Sequence, residues 1–153
     1  MSDTGVNLSD RMTKAAIDRR ELYDTLHSDH DLWCERLHYT LLRKAIKGGF
    51  DSIMVKTLFE TIIQVRPKRR KKLELEDISH EICHDLFHPD CFAHRDTRGP
   101  MDSIEEQQAE MFSSIICLPD ISQYETEDQI LMTSGHSLSI VQMRLQFFKK
   151  NGW

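Results

Sequence analysis

The stretch DISHEICHDLFHPDC, residues 77–91, contains two sets of side chains spaced four residues apart. One set consists of Ile78, Ile82 and Leu86, and the other consists of His80, His84 and His88. On a helix that turns about 100° per residue, each set forms a row, and the two rows lie on opposite faces. We therefore expect a helix over about 75–88, ending before Pro89, that buries the aliphatic row and turns the histidine row towards a cleft.

The histidine row contains the motif His80-Glu81-Ile82-Cys83-His84, whose spacing suits a metal site. Two histidines four residues apart on a helix can both bind one zinc ion. Glu81 is turned about 100° from His80, which places it near a zinc-bound water rather than among the ligands. A catalytic zinc keeps three protein ligands and one water, and a nearby carboxylate takes a proton from that water. The motif predicts two ligands and a general base.

A third ligand has to come from elsewhere, and the best candidate is Glu106. It lies near the start of a helix expected over about 103–117, in the sequence EEQQAEMF. Glu110 follows one turn later on the same face, where it could accept a hydrogen bond from the other nitrogen of a ligand histidine. Asp102 or Ser103 is expected to cap this helix.

A second metal interpretation competes with the first. The residues His84, His88, Cys91 and His94 are donors with plausible zinc spacing, and four protein ligands would form a closed structural site. This interpretation leaves Glu81 without a role, and Pro89 interrupts the chain where the ligands would have to converge.

The rest of the chain predicts one α+β domain over residues 1–153, mostly helical, with a small antiparallel sheet packed beside the histidine helix. Helices are expected over 9–26, 30–47 and 137–150, and an antiparallel hairpin over 52–56 and 61–65. The N-terminal part, 1–50, is therefore expected to be helical. Residues 89–101 are interpreted as a loop, and residues 120–136 as polar and partly irregular.

Composition limits the location and the partners. The net charge is −5, so the protein as a whole does not have the basic character of a nucleic-acid binder. No apolar run approaches the roughly 18 residues of a membrane span, and the first residues do not form a secretory signal. A cytoplasmic location with reduced cysteines is the expectation. The basic run RPKRRKK, residues 66–72, favours a solvated turn over a nucleic-acid contact.

Two segments together resemble the ImmA/IrrE-like metallopeptidases, a zincin-like family. The segments are HEICHDLFH and EEQQAEMFSSIICLP. The matching positions are His80, Glu81, His84 and His88 in the first, and Glu106, Ala109, Phe112 and Pro119 in the second. The stretch SLSIVQMRLQFF, with its pair Arg144-Leu145, is similar to the closing helix of the family. The resemblance covers about residues 60–150.

The resemblance implies a zinc-dependent metalloendopeptidase. It implies one catalytic zinc bound by His80, His84 and Glu106, with Glu81 as the catalytic base. Its substrate would be a protein, namely a helix-turn-helix transcriptional repressor, cleaved in the cytoplasm as part of a stress response or the control of a mobile element. His88 and Glu110 would support the ligands.

The chain departs from the family pattern at three positions. It has Cys83 where the family has glycine, Glu110 where it has asparagine or aspartate, and Ser113 where it has alanine. These departures keep a second interpretation open, a non-catalytic regulator that zinc stabilises and that binds a repressor or nucleic acid. The residue that would stabilise the oxyanion is also open, with Tyr124, His136, His94 and Arg95 as candidates.

Overall fold

The computed structural model describes residues 7–88 and 103–153. The helices in these ranges are α1 (Leu8–Thr25), α2 (His30–Arg36), α3 (Lys71–Phe87), α4 (Ile104–Cys117), α5 (Glu127–Ser134) and α6 (Leu138–Asn151). The strands are β1 (Thr40–Arg43), β2 (Ser52–Lys56) and β3 (Thr61–Val65). The expected α+β class is confirmed. None of the helices described is long and apolar enough to cross a membrane.

The predicted hairpin of β2 and β3 is confirmed, in a register that runs from Ser52 opposite Val65 to Lys56 opposite Thr61. The expected purely antiparallel sheet is wrong, because β1 pairs with β3 in parallel and the strand order is β1-β3-β2. The central strand therefore joins an antiparallel neighbour to a parallel one.

The prediction of one helix over 30–47 is also wrong. The helix ends at Arg36, His38 takes a positive φ of 67°, and the chain continues as β1. The helical spacing of Leu37, Leu41 and Leu42 was the misleading signal, since a short apolar run suits a strand equally well. Pairing with β3 decides the outcome, because it satisfies the backbone of β1 and packs Leu41 against the core.

The helix α3 begins at Lys71, four residues before its expected start, and the preceding residue Arg70 provides no side-chain cap. The missing cap explains why the sequence did not indicate the true start. The polar segment 120–136 contains α5, which Thr126 caps by accepting a hydrogen bond from the backbone N–H of Gln129. Gly135 ends α5 with a φ of 76°, a left-handed conformation that suits glycine.

The helix α3 lies between the sheet and α4. The sheet and α4 both pack against it, and every residue from Glu74 to His84 is buried. Ile78 and Ile82 lie in the hydrophobic core, as the aliphatic row predicts. The histidine row is covered as well, because α4 packs along α3. This arrangement brings the two predicted parts of the metal site together.

Candidate metal centre

The site is built where α3 and α4 meet. His80 and His84 lie one turn apart on α3, and Glu106 lies in the first turn of α4. Ser103 starts α4, as expected, by accepting a 3.2 Å hydrogen bond from the backbone N–H of Glu106. Ser113 on α4 donates a 3.1 Å hydrogen bond to the carbonyl of Glu76 on α3, which fixes the two helices relative to each other. Ser113, one of the three departures from the ImmA/IrrE-like pattern, thus has a structural role.

The three predicted ligands converge. The Nε2 atoms of His80 and His84 are 3.1 Å apart. The carboxylate of Glu106 places Oε2 3.0 Å from Nε2 of His80 and Oε1 2.9 Å from Nε2 of His84. All three candidate ligand atoms lie within 4.8 Å of one another. Of the residues described, these three form a group that could hold a metal ion.

The three contacts, at 2.9–3.1 Å, are slightly shorter than the distances between ligands bound to one zinc ion. Ligands about 2.0–2.1 Å from zinc stand roughly 3.3 Å apart in a tetrahedron. Hydrogen bonds alone cannot satisfy all three contacts. Each Nε2 atom lies close to the other histidine and to Glu106, and one N–H cannot point at both. At least one contact between His80, His84 and Glu106 therefore lacks a straight hydrogen bond. A cation bound by all three lone pairs would remove this conflict.

The electrostatics of the site also favour positive charge. Burial lowers the pKa of His80, but hydrogen bonds to Glu106 and Glu110 outweigh burial and raise the pKa to about 9. Burial raises the pKa of Glu106, but its bonds to His80 and His84 outweigh burial and hold the pKa well below its ordinary range. The carboxylates therefore attract either protons or a metal cation to the two imidazoles.

The predicted supporting residues lie beside the ligands. The Nδ1 atoms of His84 and His88 are 3.0 Å apart, and Nε2 of His88 lies 2.6 Å from Oε1 of Gln108. On the other side, Oε2 of Glu110 lies 3.7 Å from Nδ1 of His80. The hydroxyl of Ser139 on α6 donates a 2.8 Å hydrogen bond to Oε1 of Glu110. Sequence reasoning missed Gln108 and Ser139.

Glu81 lies between the helix and the sheet. Its side chain is fully buried, and its Oε2 accepts a 2.7 Å hydrogen bond from the hydroxyl of Ser52, the first residue of β2. No local pattern near Ser52 indicates this contact, because the two residues are 29 positions apart. The predicted base is thus held from the side of the sheet.

A cleft of about 430 Å³ lies next to His80. Its lining includes Ser52, Asp77, Glu110, Ser139 and Met143. Among the three converging residues, His80 alone lines it. The expectation that the whole histidine row faces a cleft is therefore wrong, because α4 covers His84, which is fully buried. His88 is only 8% exposed.

The oxyanion candidates have different surroundings. His136 is buried, and its Nδ1 lies 3.0 Å from Oε2 of Glu76, one turn before His80 on α3. Tyr124 packs against the hydrophobic core. Neither residue is among those that line the cleft. His94 and Arg95 lie outside the described residues.

The closed cysteine and histidine site can be described only in part. His84 and His88 are neighbours in the structure, through their Nδ1 atoms. The other two donors of that interpretation, Cys91 and His94, lie outside the described residues.

The basic run 66–72 contacts the rest of the protein through three arginines. Arg66 donates a 3.0 Å hydrogen bond to the carbonyl of Phe50, and Arg70 donates a 2.9 Å hydrogen bond to the carbonyl of Gly135. Arg69 binds the carboxylate of Asp77 through Nε and Nη2. These contacts give half of the basic side chains a role in holding the turn.

The comparisons with known proteins provide no relative, since no protein-family model, curated protein or solved structure matches the chain. The geometry of the site and the two motifs therefore carry the functional argument.

Proposed function

We propose that this protein is a zinc-dependent metalloendopeptidase. His80, His84 and Glu106 would hold the zinc ion, and Glu81 would act as the general base. The observation that carries the proposal is the convergence of two histidine nitrogens and one carboxylate within about 3 Å of one another. A set of two histidines and one glutamate is a ligand set of catalytic zinc sites, which leave a fourth position open.

The chemistry can be divided between the ion and the chain. Zinc, when bound, supplies a Lewis acid that polarises a carbonyl and lowers the pKa of water towards about 7. Glu81 would accept a proton from the attacking water and deliver it to the leaving amine nitrogen. Ser52, whose hydroxyl donates to one oxygen of Glu81, would hold that oxygen during this transfer. The cleft beside His80 would admit the substrate chain.

The substrate belongs to the same proposal. The resemblance to the ImmA/IrrE-like peptidases supports a protein substrate, a helix-turn-helix repressor, and a cytoplasmic location. The basic run 66–72 gives little support to nucleic-acid binding, because Arg66, Arg69 and Arg70 make hydrogen bonds within the protein.

The test combines metal analysis with cleavage of a candidate repressor encoded beside the gene. We expect one zinc per chain and cleavage at a single peptide bond. Glu81→Gln should keep zinc and lose cleavage, since an amide cannot accept the proton. His80→Ala should lose zinc and cleavage together. An unchanged cleavage rate in Glu81→Gln would overturn the mechanism.

One observation favours a second candidate, a zinc-stabilised regulator without catalysis. The side chain of Glu81 is fully buried between α3 and β2, so the base is held inside the protein. Zinc binding without cleavage by the wild-type protein would support this regulator. Steep salt dependence of DNA binding would then identify nucleic acid as the partner.

Cobalt substitution separates the proposed site from the closed cysteine and histidine site. A thiolate ligand such as Cys91 would give intense charge-transfer absorption, which a site of His80, His84 and Glu106 lacks. Strong absorption of this kind would assign the metal to the closed site and overturn the peptidase.

A further inference from the structure

Gln108 is joined to the candidate metal centre through His88. Its Oε1 lies 2.6 Å from Nε2 of His88, and Nδ1 of His88 lies 3.0 Å from Nδ1 of His84. His84 and His88 are both buried. The two hydrogen bonds thus reach the ring of His84 at the nitrogen opposite the one that faces His80 and Glu106.

The direction of these hydrogen bonds follows from the chemistry of Gln108. An amide oxygen can only accept, so Nε2 of His88 has to carry the proton that it donates. A neutral His88 then has a lone pair on Nδ1, which accepts from Nδ1–H of His84. A neutral His84 protonated at Nδ1 has its lone pair on Nε2. This is the nitrogen that lies 2.9 Å from Oε1 of Glu106.

Hydrogen bonds that ran in the reverse direction along these three residues would have the opposite effect. If the amide group of Gln108 donated to His88, Nδ1 of His88 would carry the proton and would donate to His84. The proton of a neutral His84 would then lie on Nε2, where no metal could bind. The orientation of the Gln108 amide thus selects, through His88, between the two tautomers of the proposed ligand His84.

We propose that Gln108 is a positioning residue that fixes His84 in the tautomer with its lone pair on Nε2. The inference rests on the proposed function, because it concerns the same zinc site. Gln108 would not be a ligand of the ion and would act through His88. Residues that orient ligand histidines in this way typically change metal affinity about 10–100-fold when they are replaced.

The test measures the zinc affinity of the full chain by competition with a chromophoric chelator. Gln108→Met keeps the length and the helix propensity of glutamine but removes the oxygen. We expect it to bind zinc about tenfold more weakly or worse. Gln108→Glu keeps an acceptor and should retain wild-type affinity or exceed it. The control is Gln107→Met, an exposed neighbour on α4, which should leave the affinity unchanged.

A spectroscopic measurement separates the tautomer from a general effect of charge or packing. ¹⁵N NMR of the zinc-loaded wild type should show His88 protonated at Nε2 and His84 protonated at Nδ1. A His88 ring protonated at Nδ1 alone would overturn the inference, whatever the affinities. Thermal unfolding of each variant identifies any that fails to fold, and the NMR result on the wild type then decides.

The outcomes distinguish this inference from the proposed function. Equal zinc affinity in the wild type and a folded Gln108→Met would overturn the role of Gln108 and leave the peptidase intact. A second outcome is weaker zinc binding in Gln108→Met but not in Gln108→Glu, together with no cleavage by the wild type. This outcome would support the role of Gln108 and overturn the peptidase. A wild type that binds no zinc would overturn both.

Discussion

The hydroxyl of Ser52 donates a 2.7 Å hydrogen bond to Oε2 of Glu81, and this contact connects the first residue of β2 to the centre of α3. Both residues are buried, with 2% and 0% of their surface exposed. A hydrogen bond to a carboxylate inside a protein is stronger than one between neutral groups. The position of the proposed base is therefore determined by the sheet as well as by its own helix.

Ser52→Ala should reduce catalysis without removing the metal. A hydrogen bond to a charged group contributes about 1.5–3 kcal/mol, so we expect kcat to fall by roughly 10–100-fold. Zinc content should stay near the wild-type value, because the hydrogen bonds of the Ser52 hydroxyl go to Asp77 and Glu81 rather than to a proposed ligand. Steady-state cleavage kinetics with metal analysis measure both.

Ser52→Thr is the matched control, since it keeps the hydroxyl and threonine is favoured in strands. It should recover most of the activity that Ser52→Ala loses. A Ser52→Ala variant with wild-type kcat would show that Glu81 does not depend on this hydrogen bond.

Removal of the metal should destabilise the wild type but not a variant that cannot bind it. A ligand at 100 times its Kd stabilises the folded state by about 2.7 kcal/mol. For a chain of this size we expect a chelator to lower Tm by roughly 5–10 °C. Glu106→Ala should show little response to the chelator.

The exposed neighbour Glu105 provides the control for this experiment, because it lies on the same turn of α4 but outside the converging group. Glu105→Ala should respond to the chelator as the wild type does. A chelator response that persists in Glu106→Ala would exclude this carboxylate as a ligand. Scanning calorimetry with and without added zinc gives the comparison.

The sequence was informative where one element carries its own pattern. The two rows on α3 predicted the helix and its buried aliphatic face, and the β-branched runs predicted the hairpin of β2 and β3. The histidine motif also predicted His80 and His84 as two of the converging side chains, and the separate segment EEQQAEMF supplied the third, Glu106. For the helix, the hairpin and the two histidines, the signal lies within a few residues or on one helical face, so it can be recognised without knowledge of the fold.

Several other features that depend on two distant elements were missed. Residues 40–43, predicted as helix, form a strand because they pair with β3, and no local pattern specifies that partner. Ser52 and Ser139 reach the site from β2 and α6. The burial of His84 depends on α4 lying along α3, which helical periodicity does not contain.

Arg144 is a buried cation held by three backbone carbonyls. It is 1% exposed, and it donates to the carbonyls of Leu118, Pro119 and Trp153 at 2.6, 3.1 and 2.7 Å. Burial lowers the pKa of its guanidinium to about 10. Arg144 thus joins α6 to the end of α4 and to Trp153.

Arg144→Met should destabilise the fold, because it leaves buried carbonyls without donors. We expect a loss of roughly 2–4 kcal/mol in the free energy of unfolding, measured by urea denaturation. Arg144→Lys should recover only part of this loss, since one ammonium lacks the planar fork that reaches three oxygens. Lys149→Met, at an exposed position of α6, is the control and should be nearly neutral. A neutral Arg144→Met would contradict this role.

Glu74 should make the fold sensitive to acid. Burial raises its pKa, but hydrogen bonds from His30 and Arg43 outweigh burial and lower the pKa from 4.5 to about 2. The contacts are 2.7 Å from Nδ1 of His30 and 2.8 Å from Nη2 of Arg43. A carboxyl whose pKa is lower in the folded state stabilises the fold above about pH 4.5. That stability is lost as the pH falls from 4.5 towards 2.

The effect is on the order of 2–3 kcal/mol in the free energy of unfolding. It follows from the lowering of the Glu74 pKa from 4.5 to about 2, at about 1.36 kcal/mol per pKa unit. The value is reduced because the Arg43 side chain is partly exposed to solvent. Glu74→Gln should therefore lose less stability than the wild type between pH 4.5 and 2. Urea unfolding in the presence of a chelator measures this without a contribution from metal release. The exposed Glu21→Gln is the control, and it should follow the wild-type curve. Parallel curves for Glu74→Gln and the wild type would show that the pKa of Glu74 is not lowered in the fold.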